Sequence, residues 1–160
     1  MAECCIFCTI SSGNDEETEI LKQNKELVCF RDICPAAPHH YLVIPKEHIV
    51  SCLSLHKSQH GLVERMAEMG KAVLQEQGVR DMTRIQLGFH IPPYTSVHHL
   101  HLHVLAPSFQ ISEEFLYKFT SGQRFVEAYH FRNLLETSWR LEQRLSHPEK
   151  QNNMIYDGWT

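Results

Sequence analysis

Apolar residues return every three or four positions between Gln59 and Gln77. Leu62, Met66, Met69 and Val73 form one stripe, and Val63, Ala67, Gly70 and Leu74 widen it. That period predicts an amphipathic helix over 59–77, with Ser58 as N-cap and Gly78 as its stop. Shorter apolar runs predict strands. Leu27–Arg31 and His40–Pro45 are two of them, and Asp32–Pro38, with two prolines, reads as a hairpin turn. Arg84–Phe89 predicts a third strand, ended by Pro92-Pro93. His99–Ala106 predicts the fourth. Residues 9–25 are polar and read as a loop or entry segment. Phe131, Leu134, Leu135, Ser138 and Leu145 place an amphipathic helix towards the C-terminus, and the last dozen residues read as frayed. The order strand, strand, helix, strand, strand predicts an α+β fold, an antiparallel sheet with a central helix on one face. It divides the chain into a domain at 1–110 and a C-terminal extension at 111–160.

The fourth strand carries the chemistry. His99-Leu100-His101-Leu102-His103-Val104-Leu105 alternates imidazole with aliphatic side chains. Successive strand residues point to opposite faces, so the three histidines share one face and the aliphatic residues pack into the core. Three unpaired buried imidazoles would be costly, so the histidine face must meet something polar. A solvated surface, a His-x-His metal site and phosphoryl chemistry with imidazole as nucleophile all satisfy that requirement. Spacing alone does not separate the last two.

Composition narrows the partners. The chain has 160 residues, enough for one domain, with ordinary hydrophobic (42%) and charged (21%) content. A formal net charge of −4 argues against nucleic acid as the main partner, since backbone binding leans on excess Lys and Arg. It leaves room for a small anionic ligand. No apolar run is long enough to span a membrane, and the N-terminus lacks the pattern of a signal peptide. The expected location is the cytosol, with the nucleus reachable by diffusion. The six cysteines all lie in the first third, and in a reducing compartment they read as thiols or metal ligands.

The His-φ-His-φ-His-φ-φ run resembles the signature of the histidine-triad superfamily. The segment Phe30-Arg31-Asp32-Ile33-Cys34-Pro35-Ala36-Ala37-Pro38-His39-His40-Tyr41-Leu42-Val43-Ile44-Pro45-Lys46-Glu47-His48 is similar to that family's nucleoside-binding hairpin. Within the superfamily the chain resembles the Hint branch, in particular an aprataxin-like member, and Leu87-Gly88-Phe89-His90 followed by prolines adds to the likeness.

The resemblance implies hydrolysis of an adenosine 5'-monophosphoramidate to AMP and amine. His101 would attack the α-phosphorus to form a nucleotidyl-histidine, His103 would assist the leaving group, and His99 would orient the strand and polarise the nucleophile. It also implies nucleotide contacts from Asp32 and Ile33 at the ribose, from His40, and from Ser96 at the phosphate. Most Hint-branch proteins place an asparagine near the end of the third strand; here His90 is expected to make its phosphate contact. No cofactor is implied for catalysis. Some members bind structural zinc, and the matching residues are present as Cys5, Cys8, His48 and His99, with unbound thiols as the alternative. A homodimer and an adenine nucleotide or aminoacyl-adenylate partner are also implied. The aprataxin zinc finger is missing, which counts against the alternative of a deadenylase acting on nucleic acid ends. A nucleotide-binding scaffold and a metal hydrolase are further alternatives.

Overall fold

The computed structural model describes residues 5–137. Six antiparallel strands form one sheet: β1 (Ile20–Gln23), β2 (Leu27–Arg31), β3 (His39–Pro45), β4 (Gln86–His90), β5 (Leu102–Ala106) and β6 (Phe125–Glu127), in the order β1-β2-β3-β5-β4-β6. Helices α1 (Ile6–Ser11), α2 (His60–Glu76) and α3 (Ala128–Thr137) complete the described fold.

Alternation along each strand sorts the side chains into two layers. Leu27, Cys29, Tyr41, Val43, Leu87, Phe89, Leu102, Val104 and Val126 meet the apolar stripe of α2. That stripe includes Leu62, Val63, Met66, Ala67, Val73 and Leu74, as its period predicts. The opposite face carries Val28, Phe30, Leu42 and Ile44, covered by Phe7 and Ile10 of α1. It also carries the histidines. A one-residue slip of β5 would bury its imidazoles under α2, so the paired registers Leu42↔His103 and Gly88↔His103 hold the chemistry on the open side.

Several boundaries differ from expectation. The strand predicted at His99–Ala106 is assigned only from Leu102, because Leu100 N–H donates to the Ile49 carbonyl (2.6 Å) rather than to a sheet neighbour. The third strand begins two residues later than predicted and ends one residue later, at His90. Ser58 does not cap α2; it lies inside a 3-10 turn, Lys57–Gln59, that precedes the helix. Gly78, at φ +95°, does close it, in a conformation that favours glycine. The segment read as a loop at 9–25 contains the end of α1 and the edge strand β1.

The extension expected from residue 111 contributes β6 to the sheet and α3 to the layer over α2, where Phe131 and Leu135 are buried. No break in the sheet or core falls at 110 among the described residues. Of the predicted C-terminal helix, Phe131, Leu134 and Leu135 fall in α3, whereas Ser138, Leu145 and the frayed end lie outside the described residues.

Gly88 is required by close approach. A Cβ there would stand 2.5 Å from the Val126 carbonyl oxygen and would also strike the Phe125 ring. Backbone on the neighbouring strand cannot swing aside as a flexible side chain can. Gly88→Ala is expected to destabilise the fold by about 3 kcal/mol, as a severe case of overpacking. Urea unfolding measures it, and a change below about 1 kcal/mol would show that β6 yields.

Candidate functional site

His101 immediately precedes the central strand β5 and His103 lies within it, with His40 on β3 beside His103 and His90 at the end of β4. His40, His99, His101 and His103 are all buried. Hydrogen bonds to backbone groups determine which ring nitrogen carries a proton in His40, His99 and His101, and the His40 ring determines it in His103.

A carbonyl can only accept, so His101 Nδ1–H donates to the His99 carbonyl (2.7 Å). The lone pair of neutral His101 is therefore on Nε2. A backbone amide can only donate, so Ala36 N–H (2.9 Å) meets the lone pair of His40 Nδ1. His40 Nε2–H then donates to His103 Nδ1 (2.9 Å). This leaves the His103 proton on Nε2, which is buried and has no partner among the described residues. One amide in the β2–β3 turn thus fixes two tautomers in series. The site presents a bare nitrogen on His101 beside a proton donor on His103, with the two rings 5.0 Å apart.

Burial keeps these rings neutral. It pushes His101 and His40 down to about 4, and the nearby His90 adds to the depression at each. His103 lies well below its ordinary value, through burial and then the like charges of His101, His90 and His40. Burial raises the Asp32 carboxyl, whose Oδ2 is 3.4 Å from His40 Nε2.

These shifts set a pH dependence of stability. His40, His101 and His103 are uncharged in the fold, while the unfolded chain protonates all three below about pH 6.5. Stability is therefore expected to fall as pH drops from 6.5 towards 4, by up to about 1.4 kcal/mol per pH unit for each ring. Asp32 works the other way around pH 4, as one carboxyl against three rings. Urea midpoints from pH 7 to 4.5 measure the slope, and a flat profile would contradict neutral burial.

His99 faces elsewhere. Its Nε2–H donates to the Pro45 carbonyl (2.8 Å), leaving a lone pair on Nδ1. That nitrogen lies 3.2 Å from His48 Nδ1, 3.4 Å from Cys5 Sγ and 3.5 Å from Cys8 Sγ. Cys5 caps α1, its sulfur accepting Cys8 N–H. The histidine that lines up with the other two in sequence thus reaches His101 through its backbone carbonyl, while its ring belongs to a separate Cys2His2 cluster.

Of the remaining sequence candidates, Asp32 opens the turn beside His40 and Ile33 is fully exposed at its tip. His39 points away and pairs with the Tyr41 hydroxyl (2.7 Å). Ser96 is exposed and does not line the cleft beside His101. The side chains lining it include Ser51, Thr95 and Val97. Thr95 Oγ1 is buried with no partner among the described residues. Neither Ser51 nor Thr95 belongs to a recognisable motif, so sequence reasoning passed over both. His90 does reach the site, its ring 4.5 Å from that of His103. However, its Nε2–H is spent on the Lys118 carbonyl (2.8 Å), so a neutral His90 offers only a lone pair on Nδ1. The phosphate-donor role expected for it therefore requires protonation, and burial opposes that.

Asp32, His40 and His103 also lie close enough together to suggest a metal site. The tautomers disfavour it. With Nδ1 accepting from Ala36, His40 could bind a metal through Nε2 only as an imidazolate.

A six-stranded antiparallel sheet with a bare imidazole and a proton-bearing imidazole on its central strand defines a protein of the histidine-triad class. Residues 4–116 match the family described as scavenger mRNA decapping enzyme C-term binding. Adenosine 5'-monophosphoramidase HINT3 of Danio rerio is 59% identical over 118 residues, 74% of each chain. Aprataxin of Gallus gallus is a more distant relative, 33% identical over 99 residues, 62% of this chain and 30% of that one. Among solved structures, a histidine triad protein from Clostridium difficile superposes with a TM-score of 0.58 at 28% identity, covering 63% of this chain and 88% of that one. The chain belongs to that matched family, and within the histidine-triad superfamily to the Hint branch.

Proposed function

We propose that this protein is an adenosine 5'-monophosphoramidase that works through a covalent nucleotidyl-histidine on His101. The reading is supported by its HINT3 relatives and by the pairing of a bare His101 Nε2 with the Nε2–H of His103. In the first half-reaction His101 Nε2 attacks the α-phosphorus. The P–N bond breaks, and the departing amine takes the proton from His103 Nε2, the ring having gained a second proton beside the anionic phosphate so that it is left neutral. In the second, a water oxygen attacks the same phosphorus, its proton passes to His103 Nε2, and the bond to His101 breaks to release AMP. Asp32 accepts from the ribose hydroxyls, and Phe7, its ring 5.1 Å from that of His101, closes the nucleoside side against water. Thr95 Oγ1 and the cleft around it are the nearest polar surface for a nonbridging oxygen.

Rapid acid quenching during turnover tests the reading. Mass spectrometry is expected to find an adenylyl group on a peptide containing His101. Turnover with no adduct at any time, even at substrate saturation, would remove the covalent route.

Cys5, Cys8, His48 and His99 fit a structural zinc. Tetrahedral zinc with ordinary bond lengths separates two nitrogens by about 3.3 Å and nitrogen from sulfur by about 3.6 Å. The donors here stand 3.1–3.5 Å apart across the His–His and Cys–His edges. The Pro45 carbonyl already fixes His99 in the ligating tautomer, as an outer partner of a metal-bound histidine does. The ion would tie α1 to the segment entering β5 and takes no part in the reaction. Cys8→Ser is expected to purify without zinc and to melt about 5 °C lower. Elemental analysis of the wild-type protein checks this directly, and an absence of zinc after growth in zinc-replete medium would refute it. The same overall reading takes the protein as a cytosolic homodimer; light scattering tests the dimer.

A further inference from the structure

The leaving group must depart past His103, since that ring holds the proton it takes. The His103 ring touches His90 and the ring of Phe119, the latter 5.2 Å away. Phe119 ends a 3-10 turn, Leu116–Phe119, that also carries Tyr117 and Lys118. Arg124 follows just before β6. Its guanidinium lies 4.4 Å from the Tyr94 ring centre and 5.4 Å from that of Tyr117. Lys118 Nζ lies 6.0 Å from Tyr117 and 5.1 Å from Phe115. Tyr94 immediately precedes Thr95 of the cleft, and Ile91 N–H donates to the Arg124 carbonyl (2.9 Å), tying the two segments together.

These two cations differ from four arginines elsewhere in the fold. Arg31, Arg65, Arg84 and Arg132 each face a carboxylate. Among the described residues, Lys118 and Arg124 have aromatic rings instead, although Glu113 and Glu114 are close in sequence. Stacking occupies the face of a guanidinium and leaves its N–H edge free for a planar or tetrahedral anion. Tyr94 and Tyr117 are also 40% and 55% exposed, so the stack is open to solvent.

We propose that Arg124 and Lys118, seated on Tyr94 and Tyr117, form a subsite for a negatively charged group on the leaving half of the substrate, a carboxylate or a phosphate. The proposal rests on the phosphoramidase reading. It makes the preferred leaving amine an anion-bearing one, in a protein whose own charge is −4.

Three AMP phosphoramidates of similar length test it, made with propylamine, β-alanine and 2-aminoethyl phosphate. Calorimetry on the His101→Asn protein reads their affinities without turnover. At low salt at least one anionic ligand is expected to bind about fivefold tighter than the neutral one, the combined effect of two partly exposed ion pairs. That advantage is expected to shrink in 0.5 M salt and to vanish in an Arg124→Gln/Lys118→Gln double variant. Arg124→Lys is expected to keep part of it, which a purely structural staple would not predict. Whichever anion gains more identifies the source. Equal or weaker binding of both anions, or an advantage that survives in the double variant, overturns the subsite. Wild-type kcat/KM ratios across the same three compounds give a second reading. Hydrolysis without charge preference defeats this inference alone; charge-selective binding without hydrolysis defeats the phosphoramidase reading alone.

Discussion

His101→Asn is expected to lower phosphoramidate turnover by roughly 10⁴-fold or more while the fold and AMP binding persist. An asparagine can keep one of the two roles of the imidazole. Its side-chain amide still donates to the His99 carbonyl, which in the native protein accepts from His101 Nδ1 at 2.7 Å. It has nothing to place where Nε2 stood, so no bond to phosphorus can form. Losing a covalent nucleophile removes a whole pathway, and in comparable systems what survives is the catalysis due to binding and charge stabilisation alone. Steady-state hydrolysis, circular dichroism and AMP titration are the three measurements. An asparagine variant that folds and keeps more than about a tenth of wild-type kcat would show that the phosphorus is attacked by something else.

His103→Ala is expected to cost about 10²–10⁴ in kcat for an alkylamine leaving group and far less for a leaving group that needs no proton, such as a nitrophenolate ester of AMP. The contrast follows from the hydrogen-bond series Ala36, His40, His103, which keeps a proton on His103 Nε2 in the neutral state. A basic amine cannot depart without that proton, whereas a stable phenolate can. A uniform loss on both substrates would point instead to collapse around the cavity left by a buried ring. The difference between the two substrates is therefore the informative quantity, and equal losses would reject His103 as the proton donor.

How much of this was legible in the sequence varies with the length over which a pattern repeats. Helix α2 spans more than four turns of consistent periodicity, and β2 and β3 are apolar runs flanking a proline-marked turn. Those elements were readable to within a residue or two. β1, β6 and α1 were not. Each has six residues or fewer, and β1 is half-polar because it lies at the edge of the sheet, where one side meets water. Ser58 looked like a cap by residue type, but the chain enters α2 through a 3-10 turn that places it elsewhere.

The site divides in the same way. Asp32, His40, His101 and His103 lie in two contiguous motifs; alternation sends one of His39 and His40 inward, and motif position selects His40. Ser51 and Thr95 occur in no motif and come to the cleft through the paths of their loops. The separate place of the His99 ring, beside Cys5, Cys8 and His48, was legible only through the family resemblance and not through alternation. Strand alternation assumes a regular strand, and the backbone at 99–101 leaves the ladder to meet Ile49. Tautomers lie further still from the sequence, since they depend on backbone groups such as the Ala36 amide and the Pro45 carbonyl.

The contact between Cys5 and His99 spans 94 positions of the chain. During synthesis Cys5 precedes the His99 ring it meets by roughly 5 to 20 s at ordinary elongation rates. Phe7 and Ile10 can settle on Val28, Phe30, Leu42 and Ile44 as soon as β2 and β3 exist, but the thiols have no His99 ring to meet until the segment entering β5 follows. The turn carrying Cys5 and Cys8 thus completes its contacts later than the hairpin it covers, and its thiols stay open to oxidants and to metal carriers until His99 arrives.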